Sequence, residues 1–241
     1  MVSVSKQQAN LPERQSLETC PPLALTDSFR FHCHPGVSCF RECCRELDLS
    51  LSPYDVLRLR RNLAISSQEF LDHYAVVEFG PEDYYPKVFL AMIDDGRASC
   101  PFIGPEGCRV YADRPGACRI YPLGRGVSFA QGEGKEQFIT LHEGHCHGFE
   151  EEQRQTVDDW QRDQQLTAYN QCNDQLIPLF TKKMGQERRL TDAEGQLFID
   201  TLYTLELFQK RSKGEKPQTQ PSLNDEELLL SQAINWLQGQ W

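Results

Sequence analysis

The spacing of its thiols constrains this chain more than any other feature. Cys33, Cys39, Cys43 and Cys44 fall within one short stretch, and Cys100, Cys108, Cys118 and Cys146 follow at longer intervals. Ten cysteines spread evenly over 241 residues would put about half a cysteine in a stretch of that length. Core packing does not ask for such crowding; a disulfide framework or a thiolate-bound metal does. Disulfide scaffolds are usually small exported domains. Residues 1–14 are polar with no apolar leader core, so the expectation is a cytoplasmic chain whose thiols stay reduced and hold metal.

The thiolate is a soft ligand that suits zinc or an iron–sulfur cluster, and the Gly- and Pro-rich loops around these cysteines let backbone wrap an inorganic centre. All eight are candidate metal ligands. Adjacent Cys43 and Cys44 point in different directions in most backbone conformations, so they are expected to reach two metals, or a cluster and a second site. Eight thiols could serve two single ions, two four-thiolate clusters, or one cluster with thiols to spare. The chain has no Cys-x-x-Cys redox pair, no ferredoxin-type run and no standard zinc-knuckle spacing. Thiol-only ligands in irregular loops beside arginines favour an iron–sulfur cluster, four-iron in type, over zinc.

Arg41, Arg45, Arg109, Arg114 and Arg119 lie near the cysteines in sequence. Arg114 and Arg119 are the candidates for offsetting thiolate charge and tuning a cluster. His142, His145 and His147 flank Cys146 and could complete a zinc site, although His142 and His147 read as solvated. His32 and His34 alternate around Cys33, so at most one face looks at a metal. Cys20 reads as an incidental thiol and Cys172 as a small core residue. Tyr54, Tyr111 and Tyr121 read as core or supporting residues, and Glu150-Glu151-Glu152 as a solvated lead-in to a helix.

Residues 1–28 read as an irregular arm broken by prolines. Residues 29–149 hold eight of the ten cysteines and all six histidines and form the expected metal-binding domain. Within it, Ser52-Pro53 opens a helix with Val56, Leu57, Leu59 and Leu63 inward and Arg58, Arg60 and Arg61 to solvent. Ser66 with Glu69 opens a second. Residues 75–79, 87–92 and 137–141 read as strands. A helical section at 150–211 follows, with a helix over 156–176 that Pro178 should kink or end and another opened by Thr191 and Glu194. Residues 212–222 read as a linker, and an amphipathic helix capped by Asn224 and Glu227 closes the chain at 223–241. Trp236 and Trp241 on it are expected to pack back onto the protein's own helices. The fold class is therefore α+β and α-rich, with a loop-dominated metal-binding domain and a helical C-terminal section.

The Cys-Cys-Arg segment, the Leu-Ser-Pro-Tyr-Asp-Val-Leu-Arg-Leu helix, Cys-Pro-Phe, Gly-Cys-x-Val-Tyr, Asp-Arg-Pro and Ala-Cys-Arg-x-Tyr-Pro-Leu together resemble the YkgJ-type cysteine-cluster family. That resemblance covers roughly residues 29–149 and implies a zinc- or iron-chelating domain. Flagellin lysine N-methylases carry a similar cysteine domain, which implies S-adenosylmethionine-dependent protein methylation as an alternative function.

The chain carries no Gly-x-Gly-x-x-Gly turn, Walker A loop or Gly-x-Ser-x-Gly elbow. Its formal net charge of −10 works against non-specific nucleic-acid binding. No window approaches the roughly 20 apolar residues of a membrane span. The leading expectation is a cluster-binding redox, sensing or metal-handling module whose partner is the metal or cluster. A zinc-stabilised scaffold that docks a protein partner through its last helix is a further alternative.

Overall fold

The computed structural model describes residues 21–81, 83–128, 135–185, 189–213 and 221–241. Cys20, most of the N-terminal arm and the middle of the expected linker lie outside them. Elements run in the order β1 (Ser28–Arg30), α1 (Pro53–Leu63), α2 (Ser67–Tyr74), β2 (Ala75–Glu78), β3 (Lys87–Leu90), β4 (Ile103–Gly104), β5 (Gly107–Cys108) and α3 (Gly116–Ile120). They continue with β6 (Leu123–Ser128), β7 (Lys135–Thr140), β8 (Arg154–Thr156), α4 (Val157–Asp163), α5 (Thr167–Gly185), α6 (Asp192–Leu202), α7 (Leu205–Lys213) and α8 (Leu223–Gln240). The strands form antiparallel pairs only: β1 with β8, β2 with β3, β4 with β5, and β6 with β7. The fold is α+β and helix-rich, as the sequence suggests.

Local chemistry sets most helix starts. Ser52 and Asp55 form a capping box on α1, as do Ser66 and Glu69 on α2, Thr156 and Asp159 on α4, and Thr191 and Glu194 on α6. Each such cap is worth about 1 kcal/mol. The last helix begins earlier than expected. Its box is Ser222 with Asp225 rather than Asn224 with Glu227, because the hydroxyl two residues upstream reaches the free N–H groups.

The expected single helix over 156–176 is two. Gln165 sits at φ 54° and turns the chain between α4 and α5. The break sends Trp160 to one apolar cluster and Tyr169, Cys172 and Leu176 to another. Pro178 does not end α5, which continues to Gly185. Leu176 and Leu179 on either side of it are buried in the same core, and that packing outweighs the lost backbone hydrogen bond.

The larger cluster joins the two halves of the chain. Leu57 and Leu59 of α1, Phe70 of α2 and Val88 and Leu90 of β3 pack with Leu179, Phe198, Leu202, Leu230, Ile234 and Leu237. Arg60, expected in solvent, is buried: its guanidinium meets Glu226, which also takes Arg61. Tyr54 Oη donates to Glu227 Oε1 at 2.5 Å. The α8 tryptophans fold back as expected, Trp241 stacking on Phe198 and Trp236 meeting Phe208.

The smaller cluster holds Phe29, Phe31, Leu123, Phe138, Val157 and Trp160. Trp160 stands edge-on to Phe29 and Phe31 at 6.0 and 5.7 Å and donates Nε1–H to Ile120 O. Cys44, Cys100 and Cys108 pack against the larger cluster and Cys146 against the smaller. The thiol-bearing loops therefore lie where the two cores meet.

Candidate metal centre

Four segments carry the eight candidate thiols, and backbone ties hold them together. Cys100 N–H donates to Cys44 O, and Glu46 N–H to Ala98 O. The short β4–β5 ribbon folds Cys108 back beside Cys100, closed by Arg109 N–H on Phe102 O. Gly107 takes φ 120° at its turn and lies against the Phe40 ring. Arg41, Glu46 and Ala98 hold left-handed backbone on either side of Cys43-Cys44 and Cys100. That conformation costs a non-glycine residue about 1–2 kcal/mol each, and it lets the chain reverse tightly enough to turn its thiols inward.

Cys118 arrives on α3. The helix is seated by Asp55, whose buried carboxylate accepts from Gly116 N–H at 2.7 Å while closing the α1 capping box through Ser52 N–H and Oγ–H. Cys146 follows β7, in a turn closed by its own N–H on Glu143 O.

Neighbouring thiols raise one another's proton affinity across these segments: Cys43, Cys39 and Cys146 act on Cys33, and Cys100, Cys43 and Cys108 act on Cys118. All eight candidates are free thiols. Cys172 sits apart in the helical core, as expected.

Protein atoms crowd these sulfurs even where solvent reaches them. Cys33, Cys43 and Cys118 are solvent-exposed residues, yet all three thiols are held well above their ordinary value. Burial and then Cys43, Cys39 and Cys146 push Cys33 up to about 11. The hydrogen bond with Cys44, then burial, raises Cys43. Burial and then Cys100 and Asp55 raise Cys118. So many sulfurs cannot ionise together unless a cation offsets their charge.

Donors for thiolates are already placed. Cys100, Cys108 and Cys146 each take the N–H of the residue two further on, from Phe102 (3.5 Å), Val110 and Gly148. His147 N–H donates to Cys39 Sγ at 3.1 Å. The buried Tyr121 hydroxyl has no hydrogen-bond partner, and the Cys146 thiol lies near it. These groups fit sulfurs that carry negative charge in a metal complex.

Both arginines spend their guanidinium groups on protein acceptors. Arg114 is buried, lies over the Tyr111 ring at 3.8 Å, donates to Tyr111 O at 2.7 Å and to Gln164 Oε1, and also acts on Cys33, Cys108 and Cys118. Arg119 spends its guanidinium on Arg114 O, Gln164 O and Ala112 O and stacks on Tyr169 at 4.6 Å. Arg41 and Arg109 brace the β4–β5 ribbon through Gly104 O, Pro105 O and Pro101 O. Tyr54 and Tyr121 are core or supporting residues as expected, whereas Tyr111 is 61% exposed because Arg114 needs only one face of its ring. His142 and His145 are exposed, and His147 Nδ1 meets Glu150 at 2.8 Å.

Among the described residues, the three donor atoms of metal-ligating type within 4.8 Å of one another belong to His32, His34 and Glu151. Glu151 is half-buried against His34 rather than a solvated lead-in. The thiols stand wider apart in threes than that.

Residues 32–147 match the model of the CxxCxxCC family, described as a "Putative zinc- or iron-chelating domain", in agreement with the resemblance carried by the cysteine motifs. The chain's own spacing in the opening segment is Cys33-x5-Cys39-x3-Cys43-Cys44. No curated protein and no solved structure matches the chain.

Proposed function

We propose, from a zinc- or iron-chelating domain over residues 32–147, that the thiol network holds iron–sulfur clusters. On this reading the protein is a cytoplasmic redox, sensing or metal-handling module. The carrying observation is that hydrogen bonds tie together the segments that bear the candidate thiols, Cys100 N–H on Cys44 O at 2.8 Å and His147 N–H on Cys39 Sγ at 3.1 Å. Eight thiols supply two sets of four thiolates, the number a four-iron cluster takes.

Spacing favours a cluster over single ions. Tetrahedral zinc at about 2.3 Å from each sulfur brings the sulfurs to about 3.8 Å from one another. Among the described residues no three thiols lie within 4.8 Å of one another, and a polynuclear centre spans a wider ligand set. When bound, such a cluster supplies one-electron chemistry. The chain's own residues hold and tune it: the N–H groups of Phe102, Val110, Gly148 and His147 stabilise thiolate, Arg114 offsets charge, and the Tyr121 hydroxyl donates toward Cys146.

Anaerobic purification followed by metal and acid-labile sulfide analysis tests this. The expected result is a brown protein with iron and sulfide in equal amounts, about four of each per occupied thiol set. A colourless protein with stoichiometric zinc and no sulfide refutes the cluster and leaves a structural zinc role.

A further inference from the structure

We propose that His32, His34 and Glu151 form a second, sulfur-free site for a divalent transition-metal cation. The inference does not depend on what the thiols hold.

His32 and His34 flank Cys33 in the segment that follows β1. The two imidazoles lie 4.6 Å apart, centroid to centroid, inclined by 39°. Glu151 arrives from the far end of the cysteine region, and its Oε2 lies 3.3 Å from His34 Nε2. Two ligand atoms bound at about 2.0 Å to one tetrahedral cation are about 3.3 Å apart. One donor atom from each of the three residues lies within 4.8 Å of the others, and all three residues are half-buried.

The two segments are locked together before any cation arrives. The β1–β8 ribbon pairs Phe29 with Gln155 and Arg30 with Arg154. Beyond it, Phe31 N–H donates to Gln153 O and His32 N–H to Gly148 O, both at 3.0 Å. Arg30 donates to Phe149 O and Glu150 O at 2.9 and 2.7 Å, and Gln155 Nε2 to Phe31 O at 3.0 Å. The neighbouring acidic groups have other partners, since Glu150 takes His147 and Glu143 takes His145. Glu151 is left to His34.

Two imidazoles and one carboxylate are borderline ligands that suit zinc, ferrous iron or cobalt. Three protein donors leave coordination positions for water or a small anion, so the site is open rather than closed. His34 accepts the Gly36 N–H at Nδ1, at 3.1 Å. A cation on Nε2 requires the ring proton at Nδ1, and that contact gives way when the cation binds.

The test uses full-length protein as isolated anaerobically, dialysed against cobalt(II), beside His34→Ala and Glu151→Gln. The wild type is expected to take up one more cobalt per chain than His34→Ala. Glu151→Gln should bind that cobalt about tenfold more weakly or worse. The additional cobalt should bring no sulfur-to-cobalt charge-transfer band, and iron and sulfide content should be the same in all three proteins. Equal uptake by wild type and variants overturns the proposal. A charge-transfer band accompanying the additional cobalt also overturns it, because sulfur then shares the site. Failure of the cluster reading shows separately, in the iron and sulfide content of the wild type.

Discussion

Truncating Asp55 should damage fold and metal centre together. The Asp55 side chain is buried at 4% exposure. One oxygen takes Ser52 N–H and Oγ–H, both at 2.7 Å, and the other takes Gly116 N–H at 2.7 Å. Asp55→Ala removes the capping box, worth about 1 kcal/mol. It also leaves the Gly116 N–H unpaired in the interior, at about 1–3 kcal/mol. The combined loss is about 3 kcal/mol, a Tm lower by about 6–12 °C for a chain of this size. Because Gly116 opens the helix that carries Cys118, bound metal should fall as well. Asp55→Asn keeps an oxygen for Gly116 and should lose less.

The pH dependence has a definite sign. Burial holds the Asp55 carboxyl above its ordinary value of 3.8, against the opposing pull of Gly116, Ser52 and Arg119. A carboxyl raised in the folded state contributes stability that is fully present below about pH 4 and declines as pH rises through the raised value. The lead of wild type over Asp55→Asn should therefore be larger at pH 4 than at pH 7. Thermal melts with matched metal content measure both effects. An Asp55→Ala protein within 1 °C of wild type, about 0.5 kcal/mol at most, with undiminished metal would refute the reasoning.

Other parts of the account answer to separate measurements. Gly148→Ala places a Cβ 2.5 Å from Phe31 Cε2, in a ring that is 2% exposed. It should cost about 1–3 kcal/mol by overpacking and lower bound metal through Cys146, and an unchanged melt would contradict the packing described. Glu226→Ala strips the buried Arg60 of its closest partner, leaving Glu206 at 3.7 Å. A loss of about 3–5 kcal/mol with metal content unaffected is expected in urea titration, and a neutral result would contradict the α1–α8 tie. Cys172 is pushed up to about 12 by burial, then by Glu227 and Asp55. Mass spectrometry should find it unmodified by iodoacetamide in the folded protein at neutral pH and modified on unfolding; modification without unfolding would contradict its core placement.

Much of this architecture was legible in the residues. The cap at Ser52, the boxes at Ser66 and Thr191, the strands β2 and β3, the core position of Cys172 and the inward fold of the α8 tryptophans follow from local patterns. What the sequence hid depends on partners far along the chain. Arg60 looks like a solvent residue on its own helix, and only Glu226, packed from α8, makes it a buried ion pair. The β1 and β8 strands are three residues each, too short to show a period. Pro178 survives inside α5 because flanking leucines are buried, which periodicity alone does not weigh against a missing N–H. Which thiols approach one another depends on the path of the loops rather than on spacing. His34 and Glu151 are 117 positions apart. The one usable signal was the pair of histidines two positions apart around Cys33.

Metal K-edge X-ray absorption on protein isolated without oxygen or added metal addresses the convergence of the thiols most directly. The account predicts a first shell of sulfur at about 2.3 Å from the metal, accounting for most of the metal bound. A first shell made only of nitrogen and oxygen at about 2.0–2.2 Å, or protein that carries no metal while its cysteines titrate as free thiols, would contradict it.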